Sequence, residues 1–244
     1  FIYIAIRRGP MKVPTVGTSV FSPSYGLSAS NSEFVNAGFP IDLNWRGKTT
    51  GDNNILQDRL RGASQLLFGN LTSAESTSSA YVFTTQNGCT FTSTANFSPW
   101  INWSFRRAPS FFDVVCYTGT GSATTVTHNL QAVPQLIICK RRTTNGYEWL
   151  TYCAFLNGGV TPQNWWIRIN SSSQQFDSNA YWNDTSPTAS VFSVGVESDV
   201  NTNGASYVAY LFATCAGVSK VGGYTGNGSS QTINCGFTSG ARFV

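Results

Sequence analysis

Apolar and polar residues alternate with a period of two along much of this chain. Val126, His128 and Leu130 interleave with Thr125, Thr127 and Asn129, which predicts a strand with one buried face. Leu136-Ile137-Ile138-Cys139 forms a short apolar run bounded by Pro134 and Lys140. Glu148 to Phe155, Trp165 to Ile169, Ser190 to Val196 and Ser206 to Phe212 read as further strands, separated by Asn-Gly, Gly-Gly and Ser-Pro pairs that punctuate turns. The stretch Asn54 to Phe68 has some helical character, but Gly62 interrupts it and its place in the pattern favours strands. Strands at this spacing predict an all-β fold of tandem β-sandwich domains, jelly-roll/lectin-like or Ig-like, each of about 100 residues.

The pattern repeats. Phe111 to Ser122 recurs in outline as Val218 to Ser229, and Trp100-Ile101-Asn102-Trp103-Ser104-Phe105 recurs as Tyr207-Val208-Ala209-Tyr210-Leu211-Phe212. Both blocks share one shift of 107 residues, that from Phe105 to Phe212. Phe1 to Arg8 matches Trp100 to Arg107, Phe39-Pro40-Ile41-Asp42-Leu43 matches Val133-Pro134-Gln135-Leu136-Ile137, and Tyr81-Val82-Phe83 parallels Ser190-Val191-Phe192. The expected organisation is the end of one repeat at 1–12, a linker at 13–32, a shortened β-domain at 33–107, a full one at 108–216 and the start of another at 217–244. Such a chain starts and stops mid-repeat, as a part of a longer polypeptide would. A period this long is a whole domain rather than a solenoid turn, so each copy is expected to bury its own core, as beads in series.

Composition narrows the function classes. Charged residues are only 11% of the chain, less than half the usual share; neutral Ser, Thr, Asn and Gln must therefore keep it soluble. The net charge of +4 is thinly spread, and its densest cluster is Lys140-Arg141-Arg142, with Arg pairs at 7–8 and 106–107. A nucleic-acid binder shows a basic stripe on a recognisable module, so no nucleic-acid partner is expected and the basic residues read as solvated strand caps. Cys89, Cys116, Cys139, Cys153, Cys215 and Cys235 show no CxxC and no framework spacing, which points to reduced thiols rather than zinc or disulfides. No apolar run approaches the ~20 residues of a membrane span, so no membrane insertion is expected.

Candidate chemistry is sparse. His128 is the sole histidine, and the repeat replaces it by Cys235 between apolar neighbours, so it reads as core. Glu197 and Asp199 stand two apart before Asn201-Thr202-Asn203-Gly204; two carboxylates can hydrolyse a glycoside, but turn acids are the simpler reading. Tyr117-Thr118-Gly119-Thr120-Gly121-Ser122 lacks the GK[ST] ending of a phosphate loop and reads as a turn entering the first strand of each copy. No catalytic residue, metal ligand or cofactor is expected, and the protein reads as not an enzyme. The candidate ligand-binding residues are Trp166, Tyr181, Trp182, Asn183 and Asp184, where flat rings lie beside amide and acid groups suited to a sugar. The competing reading is that these aromatics fill the core.

Phe105-Arg106-Arg107-Ala108-Pro109, Phe111 to Gly121, Trp182 to Thr188, Tyr207-Val208-Ala209-Tyr210 and Tyr224 to Ser229 resemble a repeated domain of tail-fibre-like structural proteins in marine tailed bacteriophages, cyanophages especially. Ile4 to Lys12 is similar to a recurrent phrase of the same proteins, whereas 13–99 matches more loosely. The resemblance implies a virion component built of tandem β-domains, a homotrimer in contact with other virion proteins, located in the particle after folding in the host cytoplasm. It supplies no catalytic residues. An adhesin domain that binds host-surface glycan is the alternative.

Overall fold

The computed structural model describes residues 11–25, 32–48, 51, 53–62, 64–79, 81–83, 85–92, 100–241 and 243–244. The Phe1–Arg8 match lies outside them. Nine strands come first: β1 (Phe21–Tyr25), β2 (Ser32–Asn36), β3 (Leu43–Lys48), β4 (Ile55–Asp58), β5 (Gln65–Phe68), β6 (Ser76–Thr77), β7 (Tyr81–Val82), β8 (Gly88–Thr92) and β9 (Trp100–Phe105). Eight more come after them: β10 (Phe112–Thr118), β11 (Thr124–Thr127), β12 (Leu136–Arg141), β13 (Trp149–Cys153), β14 (Trp165–Arg168), β15 (Phe176–Asp177), β16 (Val191–Val194) and β17 (Ser206–Phe212). Two one-turn helices, α1 (Asn179–Trp182) and α2 (Ser198–Asn201), flank β16. The fold is all-β.

The duplication is explicit in the topology. One six-stranded sheet runs β1-β9-β3-β4-β5-β6 and the other β10-β17-β12-β13-β14-β15, the same order of opening, closing and intervening strands. Each copy adds a small sheet, β2-β8-β7 in the first and β11-β16 in the second. The segment 13–32, expected as a linker, carries β1, which pairs with β9 from Phe21↔Phe105 to Tyr25↔Ile101. The first copy therefore has a complete large sheet. Pro23 in a short polar strand hid it, and proline is tolerated there because β1 is an edge.

Register fixes which residues correspond. Phe105 faces Leu43 and Phe212 faces Leu136, and the N–H groups of Asp42 and Gln135 donate to the carbonyls of Phe105 and Phe212 (2.8 and 2.9 Å). The equivalence thus runs one residue away from the Pro40–Pro134 match read from the sequence. A slip of one exchanges the two faces of a strand. Likewise β16 pairs with β11 as β8 pairs with β2, so Gly88–Thr92 rather than Tyr81–Phe83 is the counterpart of Val191–Val194.

The copies are not separate beads. Leu43, Leu56, Leu67 and Phe105 of the first large sheet share one core with Phe112, Val114, Ile138, Trp149, Val208 and Tyr210 of the second. Each copy presents the equivalent face to the other, and the opposite faces are covered by the small sheets. In the second copy that outer core is Ile137, Cys139, Leu150, Tyr207, Ala209 and Leu211 against Val126, Phe192, Val194 and the helices. This explains why β12 and β17 are apolar on both faces: they are covered on both sides. In the first copy the equivalent outer face is Asn44, Arg46, Asn102 and Ser104, all at most 2% exposed. There the Asn44 amide donates to Ser104 Oγ (3.2 Å), and the Arg46 guanidinium stacks on Phe91 and Trp100 (4.4 and 4.2 Å).

Candidate functional site

The residues singled out for ligand binding are built around α1. Ser178 caps this helix by accepting from the Ala180 N–H, and Asn183 ends it in the left-handed conformation. The helix thereby turns Tyr181 and Trp182 inward, where they are 9% and 2% exposed beside Trp166 at 6%. Trp166 is sandwiched by Tyr181 (4.2 Å between centroids) and Phe176 (5.1 Å), and Trp182 meets Tyr152 edge-on. These three rings are core and offer no open face. Asn183 and Asp184 are exposed, each with a positive φ, 53° and 46°, so they form the turn that leaves the helix.

The other candidates also have structural partners. His128 is 7% exposed; its Nε2 lies 3.2 Å from the Thr188 carbonyl and its Nδ1 accepts from the Leu130 N–H. That pattern suits a neutral imidazole, and burial pushes its pKa below 6.5. Glu197 and Asp199 do not share a strand face. Glu197 caps α2 through the Ser198 N–H, and Asp199 accepts from the Glu148 N–H (3.0 Å), with burial raising its pKa. Gly119 and Gly121 lie between β10 and β11, so the glycine motif leaves the first strand rather than entering it. The thiols are free, and burial raises Cys116 to about 11 and Cys139 to about 12, which makes them poor nucleophiles. Among the described residues no group of three or more His, Cys, Asp or Glu side chains could hold a metal, and no helix is long and apolar enough to cross a membrane.

The basic cluster departs most from its expected solvated role. Lys140 and Arg141 are 0% and 8% exposed. Lys140 donates to the Tyr147 carbonyl, and burial lowers its pKa to about 8. Arg141 lies over Tyr147 and donates to Thr202 Oγ1 (3.0 Å). Arg142 grips Glu75 of the first copy with two bonds of 3.0 and 2.8 Å. Glu75 also receives Arg61 (2.8 Å), whose Nε meets Asp58 at 2.5 Å, and Asp58 accepts from the Tyr210 hydroxyl at 2.7 Å. Asp58, Arg61 and Glu75 come from the first copy, Arg142 and Tyr210 from the second. Sequence reading missed this network because Asp58 and Arg61, Glu75, Arg142 and Tyr210 stand in four separate parts of the chain.

Around it the two copies are clasped by further bonds. Trp149, 0% exposed, donates its indole N–H to the Phe68 and Leu71 carbonyls (3.0 and 3.2 Å). The Ala74 N–H donates to Asn145 Oδ1 (2.7 Å), and the Gly146 N–H to the Thr72 carbonyl (2.9 Å). At the junction, the Arg107 N–H is capped by Asp42 Oδ2 (2.7 Å), and the Arg107 side chain pairs with Asp113 (2.6 Å). The same construction recurs after the second copy. There the Thr214 N–H is capped by Gln135 Oε1 (2.9 Å), and the bridge Cys215↔Ser219 repeats Ala108↔Phe112. A family model described as a domain of unknown function, DUF7483, matches residues 21–241. The chain belongs to the DUF7483 family. The match begins at the first residue of β1 and runs through both copies and the segment C-terminal to β17. No curated protein and no solved structure matches the chain.

Proposed function

We propose that this DUF7483 chain is a non-catalytic structural segment of a virion appendage, tail-fibre-like, in which duplicated β-domains form a rigid rod. The observation that carries the reading is the duplication itself: equal strand order in two copies, a shared core, and a junction begun a second time at Thr214–Ser219. A clasp made of a partly buried ion pair, Arg142–Glu75, and backbone bonds resists bending between copies, which a mechanical element needs. The resemblance to tail-fibre-like phage proteins adds the virion setting and a homotrimer. Immunogold labelling of intact particles tests the first, with label expected on an appendage; its absence from particles overturns the reading. Light scattering tests the second, with three copies expected and a clean monomer refuting it.

A second reading, a host-surface glycan adhesin, is favoured by one feature of the first copy. Trp45 and Trp103 lie directly opposite one another on β3 and β9 and are only half-buried.

A further inference from the structure

Three framework positions that are buried in the second copy are partly exposed in the first. By the strand register, Trp45 and Trp103 correspond to Ile138 and Tyr210, and Gly47 to Lys140. Asn54 precedes Ile55, which pairs with Arg46, and its side chain lies beside Gly47, so it takes the position of Trp149, which pairs with Lys140. In the second copy these four positions are at most 6% exposed. In the first, Gly47 remains buried, but a cleft of about 360 Å³ is lined by Trp45, Trp103 and Asn54 together with Phe243 and Val244.

Asn54 is held in place by its backbone, which leaves its side chain free. Its N–H donates to Asn70 Oδ1 (3.1 Å), its carbonyl accepts from the Gly69 N–H (2.8 Å), and Asn70 is itself fixed by Asn53 Oδ1 (2.9 Å). The Asn54 side-chain amide lies across Gly47, its Oδ1 only 2.5 Å from where a Cβ would stand. Glycine at 47 is therefore what allows this amide to reach over the strand toward the rings, and a second glycine, Gly69, borders Trp45. The partly exposed indoles of Trp45 and Trp103, the latter also meeting Phe243 at 5.5 Å between ring centroids, supply an apolar surface, and a pre-positioned amide supplies both a donor and an acceptor. Flat apolar faces with a few fixed polar groups are how a small-molecule cleft sets orientation. A pyranose ring offers the complement, C–H groups on its face and hydroxyls on its rim, and the cleft's volume accommodates one or two rings.

We propose that the Trp45–Trp103–Asn54 cleft is a carbohydrate subsite for a terminal or penultimate pyranose of a surface glycan, which rests on and deepens the adhesin reading. The test is saturation-transfer NMR on the full chain. The probes are the methyl glycosides of glucose, galactose, mannose, rhamnose and N-acetylglucosamine, plus a bacterial lipopolysaccharide O-chain. Transfer is expected for at least one probe, with a Kd on the order of millimolar that weakens about tenfold in Asn54→Ala and in Trp103→Ala. Asn54→Ala removes no core side chain, so it remains informative where Trp103→Ala misfolds. Gly47→Ala is expected to displace the amide and weaken binding similarly. Binding that survives Asn54→Ala and Gly47→Ala overturns this subsite while leaving the adhesin reading standing. No transfer to any probe overturns both.

Discussion

At His128 two hydrogen bonds to backbone decide the chemistry. With Nδ1 accepting and Nε2 beside a carbonyl, the ring is held neutral, and protonation would take the bond from Leu130 away. Because folding lowers this pKa below 6.5, the unfolded chain binds the proton more readily. Stability is then present above that value and declines as pH falls through it. The sole imidazole makes the check direct: its proton NMR titration should give a midpoint below 6.5, and His128→Asn should flatten the acid-side loss of stability. Arg61 is a second residue whose surroundings set its role. It is fully enclosed and kept protonated by Asp58 and Glu75, so Arg61→Met should destabilise by about 3–5 kcal/mol, the result of stranding a buried carboxylate. Tyr210→Phe, which deletes only the hydroxyl bonded to Asp58, should lose about 1.5–3 kcal/mol. Urea unfolding measures both.

The recurring glycine motif meets different packing demands in the second copy and in the segment that follows it. Gly119 leaves β10 so closely against α2 that a Cβ would stand 2.2 Å from the Thr202 carbonyl, while its N–H donates to Ala205. Its counterpart in the recurring motif, Gly226, has nothing within 4 Å. Gly119→Ala should therefore destabilise by about 1–3 kcal/mol through forced backbone movement, and Gly226→Ala should leave the urea midpoint unchanged. If both variants behave alike, the β10–β11 turn does not pack against α2 in this way. The hairpin β4-β5 also owes its form to a glycine: Gly62, at φ 108°, breaks what would otherwise read as a helix and turns the chain back.

For the whole molecule, the shared core makes the two copies one cooperative unit. Trp149 is the centre of the clasp, inserted beneath Phe68 and Leu71 while stacked on Tyr210. Trp149→Ala should cost about 3–5 kcal/mol and shift a single calorimetric transition; two separated transitions would show that the copies unfold independently. Expressed alone, residues 108–216 would expose Phe112, Val114, Ile138, Trp149 and Val208 on one face. Such a patch drives association, so that fragment should dimerise or precipitate where the full chain does not.

How much of this was legible in the sequence depends on what each signal reports. Period-two alternation and the recurrence at a shift of 107 residues established strands, the all-β class and the duplication, because strand periodicity and repeated turns are local. The core identity of His128 was legible for the same reason, since the repeat substitutes an apolar-like residue there. Polarity alone does not report burial. Asn44, Arg46, Asn102 and Ser104 are polar yet enclosed, Arg46 against the Phe91 ring, because a pattern of polarity cannot say what lies across a strand. The contacts of Arg142 with Glu75 and the cleft at Trp45 belong to the same class. Each joins residues distant in sequence, whereas the core packing of Trp166 with Phe176 and Tyr181 is local and was one of the two readings the sequence offered. The sequence by itself determined the all-β class, most strands of the second copy and that the pattern occurs twice; only the tertiary structure decided that β1 completes the first sheet and that the two sheets meet face to face, since pairing, burial and charge pairing are properties of contacts between segments, not of the segments.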